Sequence, residues 1–127
     1  VTGRLVPRRP DPRRRLGALG EAAVARWYEA RGYEVVDRNW RVREGELDLV
    51  LRQGRTIVFC EVKTRRGDAF GSPFDAVTLA KRQRLRTLAL RWLAEHRVAA
   101  AALRFDVAAV SVGTGETPEI SVLSGAF

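Results

Sequence analysis

"GELDLVLRQGRTIVFCEVKTR", residues 45–65, decides how this chain is read. "TIVFCEVKT", residues 56–64, is rich in the β-branched and aromatic residues that strands favour. "ELDLVL", residues 46–51, alternates polar and apolar at the two-residue period of a strand. "RQGR", residues 52–55, reads as the turn that makes them neighbours. Yet acids stand inside both apolar runs: Glu46 and Asp48 in the first, Glu61 with Lys63 in the second. Successive side chains on a strand point to opposite faces. Glu61 and Lys63 therefore share one face, and Cys60 and Val62 the other. By the same rule Glu46, Asp48 and Val50 share a face, with Leu47, Leu49 and Leu51 opposite. If the polar faces coincide, Asp48, Glu61 and Lys63 converge.

Such a convergence has a chemical use. Two carboxylates at close range disfavour each other's ionisation unless a cation lies between them. Mg²⁺ or Mn²⁺ suits hard oxygen ligands and keeps positions for water and phosphate oxygens. A bound metal polarises a phosphoryl oxygen and lowers the pKa of a bound water. A nearby lysine orients that water or offsets developing charge. The reaction class is metal-assisted phosphodiester hydrolysis. A surface strand with alternating charges is the plainer alternative, and from the residues alone both readings stand.

Outward from this hairpin the order is helix, strand, strand, strand, helix, strand and a short final strand. "RLGALGEAAVARWYEAR", from Arg15 or Leu16 to Arg31, has helical spacing, and Gly32 is its stop. "YEVVDRNWR", residues 33–41, reads as a strand. Ser72, Pro73 and Asp75 form a capping-box start for one long helix over residues 73–96. Residues 103–112 and "ISVLSGAF" supply the last strands. No internal repeat and no second domain are evident. Residues 1–14 read as a flexible basic arm and residues 15–127 as a single domain. The fold class is α/β, with a central mixed β-sheet flanked by helices.

Composition agrees with one globular domain of 127 residues, 46% hydrophobic and 30% charged. No apolar run approaches the roughly 20 residues of a membrane helix. The single cysteine, Cys60, has no partner for a disulfide, so a cytoplasmic setting is expected. The sequence holds no methionine, so residues preceding Val1 are expected to have been lost. The net charge is +8 and the pI about 11.1, which points to a polyanion, nucleic acid first. Residues 1–15 carry six Arg against one Asp. Residues 76–94 carry Lys81, Arg82, Arg84, Arg86 and Arg91 with no acid. An ordinary surface helix mixes signs to gain i,i+4 pairs, so this one suggests a phosphate-facing surface.

"LGALGEAAVARWYEARGYEVVDRNWR", "GELDLV", "CEVKTR", "FGSPFDAVTLAKRQRL" and "LRFDVAAV" occur in the order seen in the YraN-like family of small bacterial proteins, which the chain resembles from about residue 16 to residue 112. That family resembles the restriction-endonuclease-like superfamily, the PD-(D/E)xK nucleases, and is similar in layout to the Holliday junction resolvases of archaea. The resemblance implies a restriction-endonuclease-like fold and a metal-dependent nuclease acting on DNA, branched or structured DNA included. It implies that Asp48 and Glu61 are metal ligands, that the Val62 carbonyl adds a third, that Lys63 is the catalytic lysine, and that Glu21 is the supporting helix glutamate. The superfamily's proline before the aspartate is Leu47 here. Relatives that cut branched DNA act as dimers, so a homodimer is among the expectations. The alternative is a non-catalytic nucleic-acid-binding module of the same fold.

The remaining residues are read as follows. Arg65 and Arg66, just after the E-x-K strand, are candidate phosphate contacts, as are Lys81, Arg82, Gln83 and Arg84 early in the basic helix. Glu46 reads as a surface acid, with support of the metal ligands as the alternative. His96, the only histidine, lies near a helix C-terminus where a cation is favoured. With no Ser or Cys pattern beside it, a histidine triad is rejected. Cys60 reads as a buried small hydrophobe, and Trp27, Trp40 and Trp92 as core. Trp40, between arginines, is also placed to stack on an unpaired base.

Overall fold

The computed structural model describes residues 11–67, 72–113, 115 and 117–127. Helix α1 spans Pro12–Glu29. Its start lies earlier than the periodicity predicted, because Asp11 accepts the Arg13 N–H at 3.0 Å and a proline fills the first turn. Residues 12–14, read as arm, are thus helical, and residues 1–10 lie outside the described residues. Gly32, at φ +86°, follows the helix as expected.

Five strands follow: β1 (Glu34–Val42), β2 (Gly45–Gln53), β3 (Thr56–Arg66), β4 (Ala102–Val112) and β5 (Glu119–Leu123). Their order in the sheet is their order in the chain. Every pairing is antiparallel except β3 with β4, which is parallel. A parallel pair needs a crossover. Helix α2 (Leu79–Glu95) lies within it. This mixed sheet with a helix on each face is the α/β architecture expected from the sequence and is consistent with the restriction-endonuclease-like fold that the resemblance implies.

The sheet separates two apolar clusters. Val24, Ala25 and Tyr28 of α1 pack on Leu49, Leu51, Val58, Cys60, Ala108 and Val110. Leu85, Leu88, Ala89 and Trp92 of α2 pack on Leu47, Val50, Ile57, Phe59, Phe105 and Val107. Each large apolar side chain so buried contributes about 1.5–3 kcal/mol. The nearly unbroken apolar character of residues 57–60 follows, since both faces of that strand are covered.

Two expectations need correction. First, β2 does not alternate strictly. Leu47 joins Val50 in the α2-side cluster while Leu49 and Leu51 lie on the α1 side. The break coincides with Asn39 of β1, at φ +49°, and with the end of the β2–β3 ladder at Leu49–Cys60. Second, residues 73–96 are not one helix. Pro73–Ala76 is a short 3₁₀ turn, with Ser72 Oγ accepting the Phe74 N–H at 3.3 Å. Val77 turns into the core, and Thr78 starts α2 afresh by accepting the Lys81 N–H at 3.2 Å. Burial of Val77 thus overrides continuation of the helix.

On β4, in register with Cys60, Asp106 is 1% exposed and fully partnered. It accepts from the Tyr28 hydroxyl at 2.6 Å, from Arg104 at 2.9 and 3.0 Å, and from the Gly125 N–H at 3.0 Å. No helix among the described residues is long and apolar enough to cross a membrane.

Candidate metal centre

The residues predicted for the site lie where β2 parts from β3. Their last paired residues are Leu49 and Cys60, so Asp48 and Glu61 sit at the opening. Asp48 fills part of the gap: its Oδ2 accepts the Val62 N–H at 2.8 Å, in place of a ladder carbonyl. Helix α1 brings Glu21 to the same place. That helix approaches closely because Gly20 lies against β3, where a Cβ would meet Thr64 Oγ1 at 1.7 Å.

Glu21, Glu46 and Asp48 offer carboxylate oxygens that all lie within 4.8 Å of one another. Glu46, read from the sequence as a surface acid, therefore belongs to the cluster, where it also pairs with Arg41 at 3.2 Å. Period two places Glu46 on the face of Asp48, and that shared face is the signal the sequence offers for it. Burial, and then the Glu61 charge, push the Asp48 carboxyl up to about 8. Burial likewise raises Glu21, partly countered by a hydrogen bond from Asn39, with the Glu46 charge adding to the rise. Three hard oxygen donors under this repulsion fit a divalent ion such as Mg²⁺ or Mn²⁺.

Glu61 is 8% exposed and is held differently. Its Oε1 lies 2.7 Å from Lys81 Nζ and 3.6 Å from Lys63 Nζ. Burial and then the neighbouring Lys81 lower the Lys63 ammonium. Burial also works against Lys81, but its bonds to Glu61 and Lys63 outweigh it and the net shift is upward. Glu61 and Lys63 thus share a face as the strand period predicts, and it is the face that α2 covers.

Asp48 and Glu46 line two openings. One, of about 810 Å³, runs between α1 and the β1–β2 hairpin, with Arg14, Gly17, Glu21, Asn39 and Arg41 in its walls. The other, of about 240 Å³, lies toward α2, with Glu61, Lys81 and Arg84.

The expected phosphate contacts divide. Arg66, Gln83 and Arg84 are exposed, and Arg65 is half-buried. Lys81 is engaged with Glu61. Arg82 donates to the Val77 carbonyl at 3.2 Å and, like Arg86, lies over the Phe127 ring. Arg91 pairs with Glu44 and Glu95. Lys81 and Arg91 are therefore met by acids, Glu61 and Glu44 from outside the helix and Glu95 from α2 itself, while Arg82 and Arg86 lie over a ring. His96 is the C-cap of α2, stacked on Trp92 at 4.2 Å. Cys60 is buried, and that burial raises its thiol. Trp92 is core, whereas Trp27 and Trp40 are half-buried.

Comparison with known proteins bears on the chain's kinship. Residues 20–110 match the uncharacterised protein family UPF0102. A UPF0102 protein of Beutenbergia cavernae is 60% identical over 95 residues, covering 75% of this chain and 80% of its own. One of Frankia casuarinae is 51% identical over 112 residues, 88% of this chain and 95% of its own. One of Acidothermus cellulolyticus is 44% identical over 125 residues, 91% of this chain and 95% of its own. The matched span includes Glu21, Glu46, Asp48, Glu61, Lys63 and Lys81, so the whole acid–lysine cluster lies in the shared part, and the chain belongs to the UPF0102 family, the YraN-like family its motifs resemble.

Proposed function

We propose that the protein is a divalent-metal-dependent nuclease that hydrolyses phosphodiester bonds, with DNA, branched or structured DNA included, as its substrate. The observation that carries this reading is the meeting of Glu21, Glu46 and Asp48 within 4.8 Å beside a Glu61–lysine cluster. Asp48 and Glu61, with the Val62 carbonyl, would hold Mg²⁺ or Mn²⁺, and Glu21 and Glu46 would support them. The metal would polarise a phosphoryl oxygen and lower the pKa of a bound water.

The chain's own residues do the rest. Burial and Lys81 favour loss of the Lys63 ammonium proton, so Lys63 Nζ is suited to orient the attacking water or take its proton. Asp48 is oriented by the Val62 N–H, which fixes one carboxylate oxygen. The larger opening gives a strand access to these groups, with Arg14 and Arg41 in its walls to meet phosphates. The net charge of +8 favours association with nucleic acid that weakens steeply with salt. A homodimer would supply two such sites for paired cuts.

The test is a cleavage assay on labelled single-stranded, duplex, flapped and four-way-junction DNA with Mn²⁺, Mg²⁺ or EDTA. Metal-dependent cutting that is lost in Asp48→Ala and Glu61→Ala is the expected result. Salt-sensitive binding without cutting, unchanged in Asp48→Ala, would favour the second reading, a non-catalytic nucleic-acid-binding module. The ion pairs that already neutralise Glu61 are the observation on that side.

A further inference from the structure

We infer that Lys81 is a positioning residue that holds Glu61 as an ion pair and must release it before that carboxylate can join a divalent cation. The inference deepens the nuclease reading and rests on its metal site.

Lys81 stands where a helix least favours a lysine. It is in the first turn of α2, which has no acid of its own, and the positive end of the helix dipole repels a cation there. Its position is nonetheless built. Val77 is buried and breaks the chain's helical course, and Thr78 captures the Lys81 N–H at 3.2 Å. These aim the side chain at Glu61, and the 2.7 Å pair is the interaction that accounts for it.

The pair is also in surplus. Lys63 and Lys81 approach the same oxygen, Glu61 Oε1, at 3.6 and 2.7 Å. Lys63 stays beside Glu61 and an arriving divalent ion brings positive charge of its own, so Lys81 can leave without stranding a buried carboxylate. Lys63 is on the same strand two residues away, whereas Lys81 comes from another element beside an opening of about 240 Å³. Lys81 lines that opening, so its stem has open space on that side. A divalent ion shared by Asp48 and Glu61 would repel the Lys81 ammonium and take over its partner. Lys81 thereby sets how tightly the metal binds, because metal binding includes breaking the pair.

The experiment is a double-mutant cycle read by Mn²⁺ titration calorimetry on the full chain, without nucleic acid. The proteins are wild type, Lys81→Met, Glu61→Gln and the double variant. Arg84→Met removes an equal charge from the same opening, and Lys81→Arg restores the cation. Lys81→Met should tighten Mn²⁺ about tenfold, the size of coupling seen between contacting groups. Arg84→Met should tighten it much less, Lys81→Arg should return it toward wild type, and Lys81→Met should do nothing once Glu61 is Gln. Should Lys81→Met fail to fold, Lys81→Gln takes its place. Equal effects of Lys81→Met and Arg84→Met overturn the inference, as does a gain that survives in Glu61→Gln or a weakening by Lys81→Met. A cycle that closes as expected in a protein that cuts no substrate keeps the inference and removes the nuclease reading. No Mn²⁺ binding by wild type or Lys81→Met overturns both.

Discussion

Asp48 and Val62 are joined by a 2.8 Å hydrogen bond from the backbone N–H of Val62 to the carboxylate, at the point where the two strands cease to pair. A side chain thereby continues a backbone ladder, and a charge is tied to the sheet rather than to a loop. The bond lowers the Asp48 pKa, but burial and the Glu61 charge outweigh it.

Asp48 should therefore govern how metal-free stability varies with pH. Its carboxyl is raised from 3.8 to about 8 on folding, so the folded state holds the proton more tightly. The associated stability is complete below about pH 4 and is lost as pH rises through about 8. In EDTA, melting temperature should fall between pH 5 and pH 8.5 in wild type and fall less in Asp48→Asn. Mn²⁺ should raise wild-type melting temperature more at the higher pH, and Asp48→Asn should lose most of that response. An identical pH profile in both proteins would show that Asp48 is ionised without penalty.

Gly20 packs α1 directly against Thr64 of β3. Gly20→Ala would place a Cβ 1.7 Å from Thr64 Oγ1 and 2.8 Å from its Cβ. The helix must move, carrying Glu21 with it. The expected loss is about 1–3 kcal/mol in denaturant unfolding, with weaker metal binding besides. Thr64→Ala should restore part of the stability, because the worst contact goes and the Cβ contact remains. Full wild-type stability in Gly20→Ala alone would mean the helix is free to slide.

Thr78 caps α2 and fixes the place of Lys81. Thr78→Ala should lower stability by about 1 kcal/mol, while Thr78→Ser should stay near wild type. Calorimetry and urea melts check this. Because the cap and the Lys81 backbone share a bond, Thr78→Ala should also shift Mn²⁺ affinity in the direction seen for Lys81→Met.

Asp106 is a buried carboxylate whose partners are Tyr28, Arg104 and Gly125 rather than residues of the candidate metal centre. Asp106→Ala would strand the Tyr28 hydroxyl and the Arg104 guanidinium, at a cost of about 3–5 kcal/mol. At a temperature where the variant remains folded, its metal affinity should match wild type. A loss of metal affinity equal to that of Asp48→Asn would place Asp106 in the functional site.

The strands and their neighbours were readable because "TIVFCEVKT" and "ELDLVL" carry unambiguous residue types, and a four-residue turn leaves them little choice of partner. Glu61 and Lys63 fall on one face as period two requires, since β3 pairs continuously with β4 across them. Period two already puts Glu46 on the face of Asp48, but nothing near it in the sequence shows that Glu21 of α1 meets that face. The long second helix was misread because Ser72 and Thr78 are both good caps, and only the burial of Val77 decides between them. Lys81 was assigned to an outward basic face because its partner, Glu61, is distant in sequence. The partners of Asp106 carry no signal in the sequence, since nothing near it announces Tyr28 as its donor.

The order of strands in the sheet has a consequence for how the site comes into being. Neighbours in space are neighbours in sequence, so β1, β2 and β3 zip together by two short turns. Asp48 and Glu61 are thus brought side by side by local contacts, which close quickly and at small entropic cost. The pairing of β3 with β4 needs the one long loop in the sheet, and that loop carries Lys81. Folding thus assembles the acids from the cheapest contacts and leaves their lysine partner to the most expensive one.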